Sequence, residues 1–250
     1  MRKFLEQHVV KAGQLIVELE QKTGRTTKGS GGNIQTKADL ATEKYLVTAI
    51  RDAYPDHAIL SEESHTNYSI DASHLWIMDP IDGTNNYAFG RSFSAISLAY
   101  AERGTIIAGA VYNPFIGELY SAEAGEGAFR NGERFSLPER ADGHHWIVGS
   151  DISYEAAKTR HHLEILQKID PTPFIVMFAA AAPELCWAAS GRIDVYLHSD
   201  LRPWDVAAAS LVLAEAGGVF FDWAGKPSRW DNPAVVAGSE RYVSQVLQYL

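Results

Sequence analysis

The sequence has little of what marks a secreted, membrane or nucleic-acid-binding protein. Its 250 residues include one cysteine, Cys186, so no disulfide bond can form within the chain. No stretch approaches the roughly eighteen apolar residues of a membrane-spanning helix, and the first residues, MRKFLEQH, lack the apolar core of a signal peptide. Lys and Arg number 22 against 31 Asp and Glu, whereas a nucleic-acid surface needs clustered cationic side chains. We therefore expect a cytoplasmic protein with no membrane and no nucleic-acid partner.

The apolar residues present in the first half of the chain follow both helix and strand patterns. Helical spacing predicts a helix over residues 5–19 and another over about 37–54. The segment between them, 23–33, is rich in Gly, Ser and Thr, and we expect a mobile loop there. Strand-like runs follow between residues 58 and 121, and Asn131-Gly132 predicts a hairpin turn.

The second half alternates strand-like and helical segments, which is typical of layered α/β packing. A polar segment with Pro138, Asp142 and Gly143 precedes this alternation. We place a boundary there, between an N-terminal α+β half at 1–143 and a C-terminal α/β half at 144–250. The two halves are expected to form one compact unit.

Four acidic residues stand beside apolar runs, namely Glu62, Asp79, Asp82 and Asp205. If they converge, their repulsion must be relieved by protonation or by metal ions. An oxygen-only ligand set favours Mg²⁺, Mn²⁺ or Ca²⁺ over Zn²⁺. Taken singly, each has an ordinary explanation. Asp205 fits the first turn of a helix, Glu62 a solvated loop, and Asp79 with Asp82 a turn around a proline.

The two aspartates belong to the stretch Asp79-Pro80-Ile81-Asp82-Gly83-Thr84, which ends in a Gly-Thr turn. Such a turn at a helix start offers backbone N–H groups to a phosphate. Carboxylates and phosphate-binding N–H groups in one loop indicate a site that binds metal ions next to a phosphate. Two other features carry no chemistry in this interpretation: Cys186 is expected in a helix core, and the neighbouring His161 and His162 are expected at the surface.

Longer motifs in the chain resemble the inositol monophosphatase family of Mg²⁺-dependent, lithium-sensitive phosphatases. The family signature W-I-x-D-P-I-D-G-T-x-N-[FY] matches residues 76–87, and W-D-x-A-A followed by E-A-G-G matches residues 204–208 and 215–218. Glu62-Glu63-Ser64 and the segment from Gly125 to Gly132 also have the family's order and position. The resemblance covers nearly the whole chain. It implies a layered αβαβα sugar-phosphatase fold. It also implies a homodimer, because members of the family are commonly homodimers.

The resemblance also implies a role for each matching residue. It makes Glu62, Asp79 and the carbonyl of Ile81 ligands of one metal ion. It makes Asp79, Asp82 and Asp205 ligands of a second ion, so that Asp79 bridges the two. The implied phosphate-binding residues are Gly83 and Thr84.

Asp39 matches the aspartate that hydrogen-bonds the family threonine, so Asp39, Thr84 and Glu62 are the predicted catalytic residues. The implied reaction is hydrolysis of a small phosphorylated polyol or sugar by metal-activated water, with no covalent phosphoenzyme. The implied cofactor is Mg²⁺, two or three ions per site. Mn²⁺ is a possible substitute, and Li⁺ and Ca²⁺ are expected inhibitors.

The departures from the family pattern fall on the substrate side. The predicted substrate-side residues are Lys28, Ala180, His198 and Arg202. Family members commonly carry Gly-Ser or Gly-Thr where this chain has alanines at 179–182, and His198 stands where animal members have an acidic residue that binds inositol hydroxyls. These departures predict weaker or different recognition of the substrate ring. The resemblance implies inositol monophosphate as the leading substrate, and fructose 1,6-bisphosphate or a nucleotide 3′-phosphate are alternatives. A non-catalytic binding or regulatory protein on the same fold is a further alternative.

Overall fold

The computed structural model describes residues 1–19, 25–27, 34–64, 66–140, 145–170 and 172–250. The helices of this described part are α1 Arg2–Leu19, α2 Lys37–Ala53, α3 Thr84–Ala88, α4 Ala156–Lys168, α5 Ala181–Ala189, α6 Pro203–Glu215 and α7 Glu240–Val246. A 3₁₀ turn at Leu247–Tyr249 follows α7. No helix of these residues has the length and apolar character needed to cross a membrane.

A seven-stranded sheet occupies the first half of the chain. Its strands, in spatial order, are β3 Ala58–Ser61, β4 Leu75–Asp82, β5 Ala95–Glu102, β6 Thr105–Asn113, β7 Glu118–Glu123, β8 Gly127–Arg130 and β9 Glu133–Phe135. β3 and β4 run parallel, and every later neighbour in this sheet is antiparallel. A separate antiparallel pair joins β1 Arg25–Thr27 to β2 Ile34–Thr36. The sheet ends in a two-residue turn at Asn131 and Gly132, which both have positive φ and confirm the predicted hairpin.

A five-stranded sheet occupies the second half. In spatial order its strands are β11 Phe174–Val176, β10 Ile147–Ser150, β12 Val195–His198, β14 Val235–Gly238 and β13 Val219–Phe221. β11, β10 and β12 run parallel, whereas β14 and β13 run antiparallel to their neighbours. The carboxyl ends of the three parallel strands therefore meet at one edge of the sheet.

The helices form three layers around the two sheets. On β4, successive side chains point to opposite faces, so Trp76 and Met78 join a core with α1 and α2 while Leu75 and Ile77 join a core with α5 and α6. The second of these cores continues onto the five-stranded sheet, whose other face packs against α4 and α7. The order is helix, sheet, helix, sheet, helix, and the predicted αβαβα fold is confirmed.

Three local predictions have different outcomes in the structure. The predicted mobile loop at 23–33 contains strand β1, while 20–24 and 28–33 lie outside the described residues. Cys186 is fully buried in α5, as predicted. The predicted division at residue 143 falls in 141–144, which also lies outside the described residues, and stays a prediction.

Candidate active site

The parallel pairing of β3 and β4 brings the first two candidate ligands to one edge of the sheet. Ser61 pairs with Met78, so the next residues along the chain are Glu62, directly after the end of β3, and Asp79 within β4. Both line a cavity of about 270 Å³. Asp79 is 2% exposed and Glu62 is half-buried.

A bulge in β4 explains how Asp79 and Asp82 face the same cavity. Residues three apart on a regular strand point to opposite faces. Here Asp79 pairs with Ser97 and Asp82 with Ala95, so one extra residue is inserted in β4. The amide of Ile81 donates to Asp79 Oδ1 at 2.9 Å and fixes the turn around Pro80. Both carboxylates consequently line the cavity.

Asp205 reaches the same cavity from the start of α6. Pro203 occupies the first helical position, where its fixed φ suits a helix and its missing N–H costs nothing. Asp205 Oδ2 accepts the amide N–H of Arg202 at 2.7 Å, which caps the helix. One carboxylate oxygen is thereby committed to the helix end, and Asp205 still lines the cavity.

Asp79, Asp82 and Asp205 form a tight acidic cluster. Each offers one oxygen, and these oxygens lie within 4.8 Å of one another. Burial, followed by the charges of Glu62 and Asp82, raises the pKa of Asp79 well above its ordinary value. Burial also raises the pKa of Asp205, to about 7. Three clustered carboxylate oxygens whose ionisation is this costly fit a hard divalent cation, which would remove the repulsion.

This cluster coincides with the ligand set predicted for the second metal ion. Of the set predicted for the first ion, Glu62 and Ile81 line the same cavity, but the carboxylate of Glu62 is not part of the tight cluster. The carbonyl oxygen of Ile81 accepts the hydroxyl of Thr84 at 2.8 Å. A carbonyl oxygen has two lone pairs, so this bond leaves room for another partner.

The predicted phosphate turn begins α3. Gly83 has φ +81°, and a Cβ at this position would lie 2.9 Å from Ala180 Cβ and 3.0 Å from the carbonyl oxygen of Phe93. Only glycine fits both this backbone and this space. The turn therefore keeps its amide N–H groups close to the cavity, which Gly83 and Thr84 both line.

Asp39 is held against Thr84 by the cap of α2. Asp39 Oδ2 accepts the amide of Thr36 at 2.7 Å in a capping box. Asp39 Oδ1 lies 3.1 Å from the hydroxyl oxygen of Thr84, whose single proton can be donated either to this carboxylate or to the carbonyl of Ile81. The structure thus contains the contact expected between Thr84 and Asp39. Burial is the main cause that raises the pKa of Asp39, to about 6.

The substrate-side residues that the structure describes line the same cavity. Ala180, His198 and Arg202 are all part of it, while Lys28 lies outside the described residues. The amide of Asp200 donates to Nδ1 of His198 at 3.0 Å, so the ring proton is on Nε2. Burial lowers the pKa of His198 to about 4. His198 therefore brings a neutral ring, protonated at Nε2, to a position where the family pattern suggested an acidic acceptor.

Several cavity residues were not predicted from the sequence. Asp151, Ser153 and Tyr154 follow β10, and all three line the cavity. The available signal was their position after a strand of the parallel set, since the carboxyl ends of parallel strands form ligand sites.

The predicted surface position of His162 is wrong. His162 is fully buried in α4 and its Nε2 lies 2.5 Å from the hydroxyl of Ser150, whereas the neighbouring His161 is exposed. Adjacent residues on a helix point about 100° apart, so one can face the core while the other faces solvent.

Comparison with known proteins defines the class to which this fold and acidic site belong. A family model described as "Inositol monophosphatase family" matches residues 1–249, and the chain belongs to that family. The Nus factor SuhB of Vibrio cholerae serotype O1 is 32% identical over 248 residues, covering 97% of this chain and 90% of the relative. An inositol-1-monophosphatase of Mesorhizobium japonicum is 31% identical over 243 residues, covering 90% of this chain and 91% of the relative. The crystal structure of extragenic suppressor protein suhB from Bartonella henselae superposes with a TM-score of 0.91 at 30% identity, covering 99% of this chain and 96% of that one.

Proposed function

We propose that this protein is a Mg²⁺-dependent phosphomonoesterase that hydrolyses inositol monophosphate or a related sugar phosphate. The observation that carries the proposal is the convergence of Asp79, Asp82 and Asp205 beside the Gly83-Thr84 turn in one cavity. Membership of the inositol monophosphatase family supports the same chemistry. Mn²⁺ is a plausible substitute cation, because the donor set is oxygen only.

Each part of the cavity has a distinct task in this proposal. The cluster of Asp79, Asp82 and Asp205, together with Glu62 and the carbonyl of Ile81, would hold the cations. Bound cations supply a water of lowered pKa and offset the charge of the phosphoryl group. The amides of Gly83 and Thr84 bind the phosphate oxygens and orient the ester.

The Thr84 and Asp39 pair would take the proton of the attacking water. The Thr84 hydroxyl lies within hydrogen-bonding distance of Asp39 Oδ1, and Asp39 has a pKa of about 6. A base with a pKa close to neutral is ionised at pH 7 and still binds a proton well enough to accept one. No side chain is required to form a covalent bond with phosphorus.

The substrate beyond its phosphate is open to alternatives. One relative is named an inositol-1-monophosphatase, which favours inositol monophosphate. Fructose 1,6-bisphosphate and nucleotide 3′-phosphates are alternatives, because the alanine wall and His198 offer few specific contacts to a polyol ring. The homodimer and the cytoplasmic location stay predictions.

A binding or regulatory role is the second candidate function. It is favoured by one observation, the 32% identity to a protein named Nus factor SuhB. Such a role does not require a metal-ligand set, so the acidic cluster favours catalysis as the first candidate.

A phosphate-release assay tests the proposal. The purified protein should release phosphate in saturating Mg²⁺ but not in EDTA, and millimolar lithium should inhibit the release. The panel should compare inositol 1-phosphate, fructose 1,6-bisphosphate, 3′-phosphoadenosine 5′-phosphate and NADP. A folded protein that releases phosphate from none of them would overturn the catalytic proposal and favour the binding role.

A further inference from the structure

Two buried acids, one lining the cavity and one next to it, have no task in the proposed reaction. Asp151 follows β10 and is 9% exposed, and Glu184 lies on α5 and is fully buried. Burying a carboxylate is costly unless it is protonated or well hydrogen-bonded. The contacts of the pair show how each of these two conditions is met.

The two side chains share one proton. Glu184 Oε1 accepts the amide N–H of Phe178 at 3.2 Å, whereas the buried Oε2 has no N–H or hydroxyl donor in the described part of the chain. The hydrogen-bonding neighbour of Glu184 is the carboxyl group of Asp151. Burial, with the nearby charge of Asp151, raises the pKa of Glu184 well above its ordinary value. Burial raises the pKa of Asp151 as well. Both Asp151 oxygens accept N–H or O–H donors, whereas Glu184 Oε2 has none, so we assign the proton to Glu184, which donates it to Asp151.

The ionised member, Asp151, holds a turn of unusual backbone conformation. Asp151 Oδ1 accepts the amide of Ala179 at 2.7 Å, and Oδ2 accepts the hydroxyl of Tyr196 at 3.3 Å. Ala179 has φ +58°, a left-handed conformation that costs free energy for any residue with a Cβ. On the other side of the turn, the side-chain amide of Asn86 donates to the carbonyl of Phe178 at 2.5 Å. Surrounding contacts thus maintain a strained alanine.

This turn leads directly into the catalytic side of the cavity. Ala180 packs against Gly83, where an added Cβ would lie 2.9 Å from the Ala180 Cβ. Two residues further, the amide of Ala182 donates to Asp82 Oδ2 at 2.5 Å. A shift of the turn would therefore move the wall beside the phosphate turn and also a hydrogen bond of the acidic cluster.

We propose that Asp151, with Glu184 as its proton-donating partner, is a positioning residue that holds the left-handed turn at Ala179 and so sets the substrate-facing wall at Ala180. The kinetic part of this inference rests on the proposed phosphatase function. The strain relationship between Asp151 and Ala179 does not, and it is tested independently of activity.

The charge assignment is tested with Glu184→Gln and Asp151→Ala. The amide of Gln keeps a donor toward Asp151 and an acceptor for the Phe178 amide, so Glu184→Gln should keep KM and kcat within about twofold. Asp151→Ala removes a charged acceptor and should raise KM about tenfold while kcat changes less. A Glu184→Gln variant as impaired as Asp151→Ala, or an unchanged KM in Asp151→Ala, would overturn the inference.

The strain relationship is tested with Ala179→Gly. Glycine adopts φ +58° without a Cβ penalty, so the turn no longer needs Asp151 to hold it. The double variant should recover most of the KM increase of Asp151→Ala. Ile152→Ala is the matched control, because Ile152 lines the same wall next to Asp151. Ala179→Gly should not reverse any change in KM that Ile152→Ala causes. If Ala179→Gly reversed the KM changes of Asp151→Ala and of Ile152→Ala equally, the inference would be contradicted.

Urea unfolding separates this inference from the proposed function. The loss of urea midpoint caused by Asp151→Ala should be smaller in the Ala179→Gly background than in the wild type, even if the protein has no phosphatase activity. If Asp151→Ala does not fold, the double variant should fold because the strain is gone. Additive midpoint losses, or a double variant that also fails to fold, would contradict the inference.

Discussion

The hydroxyl of Thr84 lies 3.1 Å from Oδ1 of Asp39, a residue 45 positions earlier in the chain. This contact joins the first turn of α3 to the first turn of α2, because each residue stands at the start of its helix. The other carboxylate oxygen of Asp39 is held by the amide of Thr36 at 2.7 Å. Asp39 is therefore fixed at both oxygens and is fully buried.

Asp39 should make the metal-free protein less stable as the pH rises. The ordinary pKa of an Asp side chain, which we take for the unfolded chain, is 3.8, and the pKa of Asp39 in the folded protein is about 6. Between these two pH values the folded state therefore binds the proton more tightly than the unfolded state does. The contribution of protonated Asp39 to the free energy of unfolding is fully present below pH 4 and is lost as the pH rises through about 6. The side-chain amide of the Asp39→Asn variant cannot titrate. The difference in unfolding free energy between wild type and variant should change by about 2 kcal/mol between pH 4.5 and 7.5, measured by urea unfolding in EDTA.

The same variant should lose most phosphatase activity. The amide of Asn can still accept the Thr36 amide N–H and preserve the cap, but it cannot take a proton through Thr84. We expect a loss in kcat of about a hundredfold or more, the usual contribution of a general base. Thr84→Ser, which keeps the hydroxyl, is the matched control and should retain far more activity. A pH-independent difference in stability, or full activity in Asp39→Asn, would contradict the role assigned to this carboxylate.

Asp82→Asn should abolish Mg²⁺-dependent phosphate release. Loss of a direct ligand should exceed the roughly 10–100-fold cost of losing an outer-shell partner. In EDTA the variant should be no less stable than wild type, because one charge leaves a buried cluster in which burial and the charge of Asp205 raise the pKa of Asp82. Phosphate release and the urea midpoint in EDTA are the two measurements.

Asp56→Asn is the matched control for this substitution. Asp56 is an exposed carboxylate in the turn before β3 and does not line the cavity. Near-wild-type turnover in Asp82→Asn, or an equal loss in Asp56→Asn, would remove the assignment of Asp82 as a ligand.

The residues that form the acidic cluster were predictable because most of them are local in sequence. Asp79, Asp82, Gly83 and Thr84 share one loop, and the helix start at Asp205 has its own short motif. The bulge that turns both aspartates to one face was not predictable, because it depends on the pairing of β4 with β5. The alternation of elements predicted layered α/β packing, and the family resemblance implied the order of the layers.

Burial and backbone conformation account for what the sequence did not show. His162 and His161 are adjacent and chemically identical, and only the packing of α4 against the sheet decides which one is buried. Asp151 and Glu184 are 33 positions apart and have no common motif. Their hydrogen-bonded pairing arises from the folding of α5 against the end of β10, so it has no local sequence signal.

Gly83→Ala should destabilise the protein more than Gly90→Ala, although both glycines have a left-handed backbone conformation. Gly83 and Gly90 have φ of +81° and +69°, but no heavy atom lies within 4 Å of a Cβ placed on Gly90. Gly90→Ala should cost about 1–2 kcal/mol of unfolding free energy for the left-handed backbone. Gly83→Ala should cost about 1–3 kcal/mol more, because the new methyl group would overlap Ala180 and the Phe93 carbonyl. Equal urea midpoints for the two variants would show that the turn has more space than the structure indicates.

His198→Glu should shift the preference among substrates. His198 lines the cavity as a neutral ring with its proton on Nε2, since burial lowers its pKa to about 4 and Nδ1 accepts the Asp200 amide. A glutamate would present an acceptor suited to polyol hydroxyls and a charge that repels a second phosphate. The ratio of kcat/KM for inositol 1-phosphate to that for fructose 1,6-bisphosphate should rise about tenfold, the equivalent of about 1.4 kcal/mol. His198→Gln, which keeps a neutral donor, should leave the ratio within about twofold. A ratio that changes equally in both variants would assign His198 a packing role and not one in substrate selection.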